Sequence, residues 1–556
     1  MKGATSLPGA AVACILLTLA GAAALVKARS YDLWWHLETG LRIVTDHVIP
    51  RVDDYSFTSR GAPWVDHEWL FQVVLYLAHA AAGPAGLAIL KLACALTVAL
   101  LGYRALREGG AAQGTALAVV GLAIAGLRFR LAERPEMCSM ALVCIHAAIL
   151  LSLAARPARA AARLAAIALL VVVWANMHAS ALLAPGLALA CAAGSMIDRA
   201  RPAARNALVA AGLSACALLV NPFTWRILLV PLGISDALAR ANISNPEWAA
   251  PSPSEFPLFF GAVAAAALLA AACCAAGRPL AWTRMAMLGS CAAIGFLAIR
   301  HIGIFFAILP LSVDLGMARP SRRLQPVLQA AGLSVALGAA GWMSLVPPAG
   351  AEFGIGISSM RFPEKAADFV DEQLTQARLY NDVAFGGYLI WRGYPARRVF
   401  IDGRNEVHAD LLGELSASID DGRKWRALLD RFDLDGAVVA YRDDAVKVRD
   451  ASTDAVSTST FSELHFPRGE WALVYWDDVA MVFVRRHGRY ADLASQLEYR
   501  VSRPEFWRQE LGRSGIFETQ IGGEEEIRRK LAQDEHCQLA NGVARVYGKA
   551  FTNPVR

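Results

Sequence analysis

Charged residues are scarce in this 556-residue chain. They make up 18% of the sequence, whereas a soluble globular protein carries about a quarter. The shortage is confined to residues 8–346, where apolar runs rich in Ala and Leu follow one another. The composition therefore predicts a multi-pass α-helical membrane domain over residues 1–349. A soluble α/β domain over 350–488 and a helical C-terminal extension over 489–556 follow it.

Motifs of several enzyme classes are also absent. The chain has no G-x-G-x-x-G fingerprint, no nucleotide-binding loop and no serine or cysteine triad signature. The soluble part has no clustered basic face, which argues against nucleic acid as a partner. Much of the Arg behind the net charge of +6 lies between apolar runs.

Cysteine is nearly missing from the soluble part, where Cys537 is the only one, so a disulfide within that part is excluded. The other cysteines lie in apolar runs and are interpreted as small apolar helix residues. They are Cys14, Cys94, Cys138, Cys144, Cys191, Cys216, Cys273, Cys274 and Cys291.

The apolar runs predict about 11 transmembrane helices, each close to the 17–25 residues that a span needs. Residues 8–27 are read as an uncleaved first span, and residues 68–82 as a helix at the outer interface. The predicted spans are 8–27, 84–103, 112–127, 137–155, 164–179, 180–197, 206–221, 256–276, 284–299, 302–318 and 326–346.

Basic residues in every second loop predict the orientation, because short positive loops stay in the cytoplasm. The N-terminus is then cytoplasmic and the C-terminal domain is extracytoplasmic, in a cytoplasmic (inner) membrane. The residues that set this orientation are Lys2, Arg104, Arg107, Arg156, Arg159, Arg163, Arg199, Arg201, Arg205, Arg278, Arg284, Arg319, Arg322 and Arg323.

Ionisable residues gather in the loops that this orientation places outside, including the first outer loop, 28–83. Such groups at the ends of spans are costly unless they are paired or line a wet cavity, so they predict a functional site. The candidate residues are Asp32, His36, Glu38, Asp66, His67, Glu68, Arg134, His178, Arg300 and His301.

Structural roles compete with this interpretation. Asp66 is equally well explained as a helix N-cap, and the pair Asp53–Asp54 is better explained as a turn. His178 is more typical of a residue that cross-links helices. Arg134 could pair with its neighbour Glu133. The tryptophans Trp34, Trp35, Trp64 and Trp69 fit an aromatic belt.

The outer-loop motifs resemble those of the bacterial GT-C superfamily of polytopic glycosyltransferases, within a poorly characterised subgroup. The motifs are "DLWWHLETG", "IPRVDDYSFTSRGAPWVDHEWL", "ERPEM", "WANMHAS", "NPFTWR", "NPEW" and "YNDVAFGGYLIWRGYPARRVFIDGRNEV", and the resemblance covers residues 28–480. It implies a helical bundle with a catalytic first outer loop. The resemblance also implies that the sugar donor is a polyprenyl-phosphate-linked sugar.

Asp32 matches the position of the first-loop acid of the superfamily. The usual paired acid is missing, because Leu33 and Trp34 follow Asp32. The second acid is then Glu38, or Asp66 together with Glu68 further along the loop.

The expected chemistry is transfer of a hexosyl or pentosyl group to an extracytoplasmic hydroxyl on a glycan, a lipid or a protein. Asp32 would be the general base and Glu38 a second catalytic acid. Arg134, Arg300 and His301 would bind the lipid phosphate, and His36, Asp66, His67, Glu68 and His178 would contact substrate.

A divalent cation, Mg²⁺ or Mn²⁺, is a weaker alternative. Asp66, His67 and Glu68 with His36 offer suitable ligand atoms, but adjacent residues on one helix point in different directions. No metal ligand is therefore assigned from the sequence.

The C-terminal part predicts several short elements. Residues 363–378 predict a helix, and 378–391 a strand, a glycine turn and a helix. Residues 397–407 predict a strand that ends at Asp402, and 471–486 a hairpin. Two further functions stay open: a transporter of lipid-linked glycan and a non-enzymatic scaffold for envelope assembly.

Overall fold

The structure is a computed structural model that describes residues 7–156, 160–243, 245–313, 324–442, 445–449, 456–504 and 523–551. The chain forms two compact units. The first unit comprises Met1–Pro50, Val65–Gly233 and Ser244–Ser358, and the second comprises Arg51–Trp64, Ile234–Ile243 and Ser359–Arg556. Part of the predicted first outer loop thus belongs to the second unit. Five of the basic residues that predict orientation lie outside the described residues, namely Lys2, Arg159, Arg319, Arg322 and Arg323.

Helices build the first unit, as its apolar composition predicts. The α-helices that begin in this unit are α1 (Gly9–Ala24), α2 (Leu33–Asp46), α3 (Trp69–Glu108), α4 (Gln113–Leu127), α5 (Pro135–Ala155), α6 (Ala160–Ala175), α7 (Leu183–Ile197), α8 (Arg201–Ala217), α9 (Val230–Arg240), α10 (Pro257–Ala275), α11 (Trp282–Leu297), α12 (Ile302–Ser312) and α13 (Gln325–Leu345). Short 3₁₀ helices lie between some of them, at Arg128–Arg130, Ala179–Leu182, Thr224–Leu229, Pro246–Trp248 and Ile299–His301.

Five helical elements in the described part of the chain are long and apolar enough to cross a membrane. They are Trp69–Glu108, Pro135–Ala155, Ala179–Ile197, Pro257–Ala275 and Gln325–Leu345. Further apolar helices of 10–17 residues are Gly9–Ala24, Ala160–Ala175 and Ile299–Ser312. The helical membrane-type character of this unit is confirmed, and the number of about 11 crossings stays a prediction.

The element α3 joins the predicted interface helix and the predicted second span. Its backbone is not helical at Ala82 and Gly83, directly before Pro84. A proline disfavours helical dihedrals in the residue before it and removes a backbone donor, which explains a break at this point. The sequence thus located both helices and the boundary between them.

The helix α2 packs tightly against the start of α3. A side chain at Gly40 would overlap the backbone carbonyl of Gln72, so only glycine permits this approach. Residues 33–40 of α2, which include His36 and Glu38, are buried on all sides of the helix. This packing brings the residues around Asp32 next to those around Glu68.

The second unit contains a small mixed sheet with the strand order β1-β2-β6-β5. Strand β1 (Leu379–Asn381) is parallel to β2 (Gly436–Ala440), whereas β2, β6 (Ala480–Arg485) and β5 (Trp471–Trp476) are antiparallel neighbours. A separate antiparallel pair is formed by β3 (Ala445–Arg449) and β4 (Val456–Thr460). The predicted hairpin over 471–486 is confirmed by β5 and β6.

Helices surround this sheet and enclose an aromatic core with Phe400, Trp425, Phe466 and Trp471. The helices are α14 (Glu364–Gln373), α15 (Val383–Gly393), α16 (Ala409–Ser418), α17 (Gly422–Arg431), α18 (Phe461–His465), α19 (Ala491–Leu497), α20 (Gly523–Gln533) and α21 (Gln538–Phe551). The helix predicted over 363–378 is confirmed as α14.

Two expectations for the second unit were wrong. The glycines of "FGGY" do not form a turn but lie inside α15. Gly386 has to be glycine for a packing reason, because a side chain there would overlap the carbonyl of Ile401. Residues 397–407 are not a strand of the sheet. Val399 forms only an isolated bridge with Ser56, so this apolar segment pairs with the segment 51–64 instead of a sheet neighbour.

Candidate functional site

Asp32 begins the candidate site, at the N-terminal end of α2. Its Oδ2 lies 2.9 Å from Nε of Arg134, and its Oδ1 accepts a hydrogen bond of 3.3 Å from the indole of Trp35. Arg134 precedes the first residue of α5 in extended backbone. The hydroxyl of Ser30 accepts hydrogen bonds from the backbone of Asp32 and from Arg134. The acid at the exit of the first helix is therefore half of an ion pair.

The ion pair continues through two glutamates and two further arginines. Arg134 Nη1 lies 3.0 Å from Oε1 of Glu247, and Arg130 Nη1 lies 3.1 Å from the same oxygen. Arg130 also pairs with Glu136, whose Oε1 lies 3.2 Å from Nη2 of Arg300. The result is an alternating chain of three acids and three arginines, which we call the ion-pair chain: Asp32, Arg134, Glu247, Arg130, Glu136 and Arg300.

The members of the ion-pair chain differ in exposure. The side chains of Asp32 and Arg300 are each 21% exposed and that of Arg134 is 34% exposed. Arg130 is buried at 5%, and Arg300 stacks over the ring of Trp248 at 4.4 Å. A ligand can therefore reach Asp32, Arg134 and Arg300, while Arg130 supports the glutamates from within.

His36 connects the ion-pair chain to a second polar group. Its Nε2 lies 3.9 Å from Oε2 of Glu68, whose other oxygen lies 3.3 Å from Nε2 of His67. Burial lowers the pKa of His36 to about 4, against the opposing effects of Glu68 and Asp32. The imidazole is therefore neutral at pH 7 and lies near both Asp32 and Glu68.

Asp66 is a buried acid and not the N-cap of α3. The N-cap position is Glu68, which makes no side-chain capping bond, and Asp66 instead accepts a hydrogen bond of 2.7 Å from Gln72. Burial, reinforced by Glu68, raises the pKa of Asp66 to about 7. At 1% exposure it contacts protein rather than a bound substrate.

His178 cross-links helices, which is one of the two interpretations that the sequence left open. His178 Nδ1 lies 3.0 Å from the hydroxyl of Ser139 and 2.7 Å from that of Ser180. Asn176 accepts a hydrogen bond from the indole of Trp69. These contacts fix the 174–182 turn against α3 and α5.

Two predicted site residues lie apart from these contacts. Glu38 is six residues beyond Asp32, about 240° around the helix, and burial raises its pKa to about 7 with Arg42 and Asp46 as its charged neighbours. His301 Nδ1 lies 3.2 Å from the carbonyl of Ile294. The structure thus joins Asp32, Arg134 and Arg300 and leaves Glu38 outside the group.

Glu136 and Glu247 were missed as site residues, although both stand in motifs that the sequence singled out, "ERPEM" and "NPEW". One signal in the sequence could have found them: the outer-loop arginines had no assigned acid to balance their charge. Glu133 does not pair with Arg134 but with the buried Lys91, at 2.7 Å, and it accepts the backbone N–H groups of Arg29 and Ser30. The aromatic-belt interpretation fails for Trp34, Trp35 and Trp64, which are buried inside the protein.

The acids of the ion-pair chain already have arginine counter-charges. Among the described residues, no group of three or more His, Cys, Asp and Glu side chains is placed to hold a metal. The carboxylates of Asp32, Glu136 and Glu247 each face a guanidinium group. Arginine therefore supplies the positive charge that a cation would otherwise bring to these acids.

Solved structures with a similar fold include archaeal oligosaccharyltransferases. The enzyme AglB from Archaeoglobus fulgidus, in complex with an inhibitory peptide and a dolichol-phosphate, matches with a TM-score of 0.55 and 10% identity over 98% of this chain and 87% of that chain. The apo form from the same organism matches with a TM-score of 0.54, 10% identity, and coverages of 95% and 86%. A form tethered to an acceptor peptide with the NVT sequon matches at 0.55, with 9% identity and coverages of 97% and 87%.

These matches confirm the predicted resemblance to GT-C glycosyltransferases as a resemblance of fold. No family model matches the chain, and no curated protein matches it either.

Proposed function

We propose that this protein is a membrane glycosyltransferase that moves a sugar from a polyprenyl-phosphate-linked donor to an extracytoplasmic hydroxyl. The observation that carries the proposal is the ion-pair chain, in which a partly exposed carboxylate and two partly exposed guanidinium groups lie within one connected network. A reaction that deprotonates a hydroxyl and releases a phosphate needs these two kinds of group.

Asp32 is the proposed general base. Its Oδ2 is held by Arg134, while Oδ1 makes only a long contact with Trp35 and can accept the proton of an acceptor hydroxyl. As that hydroxyl attacks the anomeric carbon, the bond to the lipid phosphate breaks. The neutral imidazole of His36 lies beside Asp32 without adding charge, which suits the binding of an uncharged acceptor.

Arg134 and Arg300 are the proposed ligands of the lipid phosphate, with His301 next to Arg300. A guanidinium fork matches a phosphate in geometry and charge. Asp32 is the first cause of the raised pKa of Arg134, so this side chain stays cationic. Glu136 and Glu247 hold the arginines in place before the donor binds, which lowers the cost of ordering them.

The fold supports this assignment. The archaeal oligosaccharyltransferase that matches over most of both chains was solved with a dolichol-phosphate, a lipid phosphate of the class proposed here. The apolar helices fit a multi-pass protein of the cytoplasmic membrane. In the proposed topology the N-terminus is cytoplasmic, and the acceptor is a glycan, lipid or protein of the cell envelope.

The test compares glycans and glycolipids of cells that lack the protein with those of cells that express the wild type or the Asp32→Asn variant. We expect one glycan species to disappear in the deletion strain, to return with the wild type, and to stay absent with the variant. A normal glycan profile with correctly inserted Asp32→Asn protein would overturn the proposal.

Two other functions make different predictions in the same test. If the protein were a transporter of lipid-linked glycan, cells that lack it would keep the unprocessed donor on the cytoplasmic side of the membrane. If the protein were a non-enzymatic scaffold, Asp32→Asn would restore the missing glycan as well as the wild type does. The connected acids and arginines favour transfer over both alternatives.

A further inference from the structure

A serine, a histidine and an aspartate of the second unit form a hydrogen-bonded line. The hydroxyl of Ser59 lies 3.0 Å from Nδ1 of His408, and Nε2 of the same ring lies 3.1 Å from Oδ2 of Asp402. All three residues belong to the second unit, although Ser59 and His408 are 349 positions apart in the sequence. The sequence contains no serine triad signature, so only the tertiary structure reveals this arrangement.

Asp402 is fixed by an arginine that the reaction proposed above does not use. Arg404 donates from Nε to Oδ1 at 2.8 Å and from Nη2 to Oδ2 at 2.6 Å, and it also contacts Asp53 at 2.6 Å. Its guanidinium lies 4.9 Å from the ring centre of Tyr55 and 4.6 Å from that of Trp64. Asp402 therefore has no freedom to turn away from His408.

The buried group around His408 carries an excess of negative charge. The carboxylates Asp53 and Asp402 share one guanidinium, so the buried group carries a net charge of −1. With the ring proton on Nε2, His408 donates to Asp402 and leaves Nδ1 free to accept from Ser59. If Nδ1 then takes the proton of Ser59, the excess negative charge stabilises the imidazolium, as in a Ser-His-Asp triad.

Ser59 and His408 both line a cavity of about 430 Å³. The wall of the cavity includes Ala409, Asp410 and Leu411, the first residues of α16. The first N–H groups of a helix have no intrahelical partner, and His408 gives α16 no side-chain cap. These backbone donors are available to stabilise an oxyanion that forms beside Ser59.

We propose that Ser59 is a nucleophile, activated by His408 and Asp402, that cleaves small uncharged acyl esters in this cavity. The bond from Ser59 Oγ to the acyl carbon forms while the serine proton moves to His408 Nδ1. The ester C–O bond breaks, and His408 gives the proton to the departing alcohol. Water then attacks the acyl-serine through the same base, which releases the carboxylic acid and restores Ser59.

The lining of the cavity supports this substrate class. Glu406, Asp410 and Glu414 place carboxylates around it, which disfavours an anionic substrate. The two arginines of the lining are already paired, Arg240 with Asp410 and Arg431 with Glu414. A volume of about 430 Å³ admits a small acyl group with a compact alcohol.

The test uses the purified full-length protein, a fluorescent fluorophosphonate and p-nitrophenyl acetate. We expect the fluorophosphonate to form one covalent adduct, which peptide mass spectrometry places on Ser59. Ser59→Ala should abolish labelling, and His408→Gln should slow it by about 100-fold or more, the lower end of the range for general-base catalysis. Ester hydrolysis should fall in parallel.

The matched control is Ser495→Ala, an exposed serine of the same unit that should label like the wild type. A folded wild-type protein that is not labelled would overturn the proposal, and so would labelling that survives both Ser59→Ala and His408→Gln. Melting temperatures of the variants separate loss of reactivity from loss of fold.

Discussion

The guanidinium of Arg134 lies 2.9 Å from the carboxylate of Asp32, and its Nη1 lies 3.0 Å from Glu247. Arg134 thus holds the acid after the first helix and an acid from the loop before α10. This relationship turns three motifs that are far apart in the sequence into one site. It also gives Asp32 a neighbour whose charge suits a phosphate leaving group.

Substitution of Asp32 by Asn should abolish sugar transfer without unfolding the protein. The amide keeps the size of the side chain but cannot accept a proton, so we expect a loss of about 10²–10⁴-fold, the usual contribution of a general base. The measurement is the glycan product formed by membranes that contain equal amounts of each variant. Asp46→Asn removes an exposed acid at the other end of α2 and should leave transfer unchanged. Equal activity of both variants would contradict the role of Asp32.

Substitution of Arg300 by Ala should weaken binding of a lipid phosphate. A charge-assisted hydrogen bond contributes about 1.5–3 kcal/mol, so the Kd for decaprenyl phosphate should rise by about 10- to 100-fold. Arg300→Lys keeps the charge without the guanidinium fork, so its Kd should lie between those of the wild type and Arg300→Ala. Native mass spectrometry or tryptophan quenching measures the affinity. The control is Arg226→Ala, because Arg226 is exposed. An unchanged Kd for Arg300→Ala would remove Arg300 from the phosphate site.

Substitution of Arg404 by Met should destabilise the second unit by about 3–5 kcal/mol. The change leaves Asp53 and Asp402 buried without a counter-charge, and breaking a buried ion pair on one side costs about this much. Denaturant unfolding, followed by the fluorescence of the buried tryptophans, measures the effect. Arg426→Met removes an exposed pair with Glu470 and should cost about 1 kcal/mol or less. Similar stabilities of the two variants would show that Arg404 contributes no more than a surface arginine.

Substitution of Asp66 by Asn should flatten the dependence of stability on pH. Burial raises the pKa of Asp66 to about 7, above the value of about 3.9 in an unfolded chain. The folded state therefore binds this proton more tightly, and its stabilising contribution is full below about pH 4 and is lost as pH rises through 7. At about 1.4 kcal/mol per pKa unit, the loss is on the order of 4 kcal/mol.

The measurement for Asp66 is the apparent melting temperature of detergent-solubilised protein at pH 5 and pH 8. The wild type should lose more stability between these values than Asp66→Asn does. Asp46→Asn, at the exposed end of α2, should behave like the wild type. Parallel curves for the wild type and Asp66→Asn would show that Asp66 does not titrate as a buried acid.

The helices of the first unit were predictable because each depends on a local property. A run of apolar residues is suited to a membrane helix whatever its neighbours are, and α5 and α13 lie close to the predicted spans 137–155 and 326–346. The hairpin of β5 and β6 was predictable for the same reason, since two apolar runs flank a short turn. Residues 397–407 were not, because an extended apolar segment does not reveal which partner it pairs with.

The site was predictable in part. Asp32, Arg134 and Arg300 were predicted as site residues because a charge beside an apolar run is costly to bury. Such a position can be recognised from the sequence alone. Their partners Glu136 and Glu247 were missed, and Glu133 was paired with the wrong residue. The choice of partner depends on distances of a few ångströms between segments far apart in the chain.

The sequence by itself determined the helical apolar half, the mixed-charge half and the positions at which acids and arginines had to be satisfied. Tertiary structure alone decided that Arg134 pairs with Asp32, that residues 51–64 join the second unit, and that Ser59 reaches His408. The physical reason is one of range. Burial and backbone propensity act on each segment separately, whereas an ion pair or hydrogen bond exists only after packing has fixed both partners within about 3 Å.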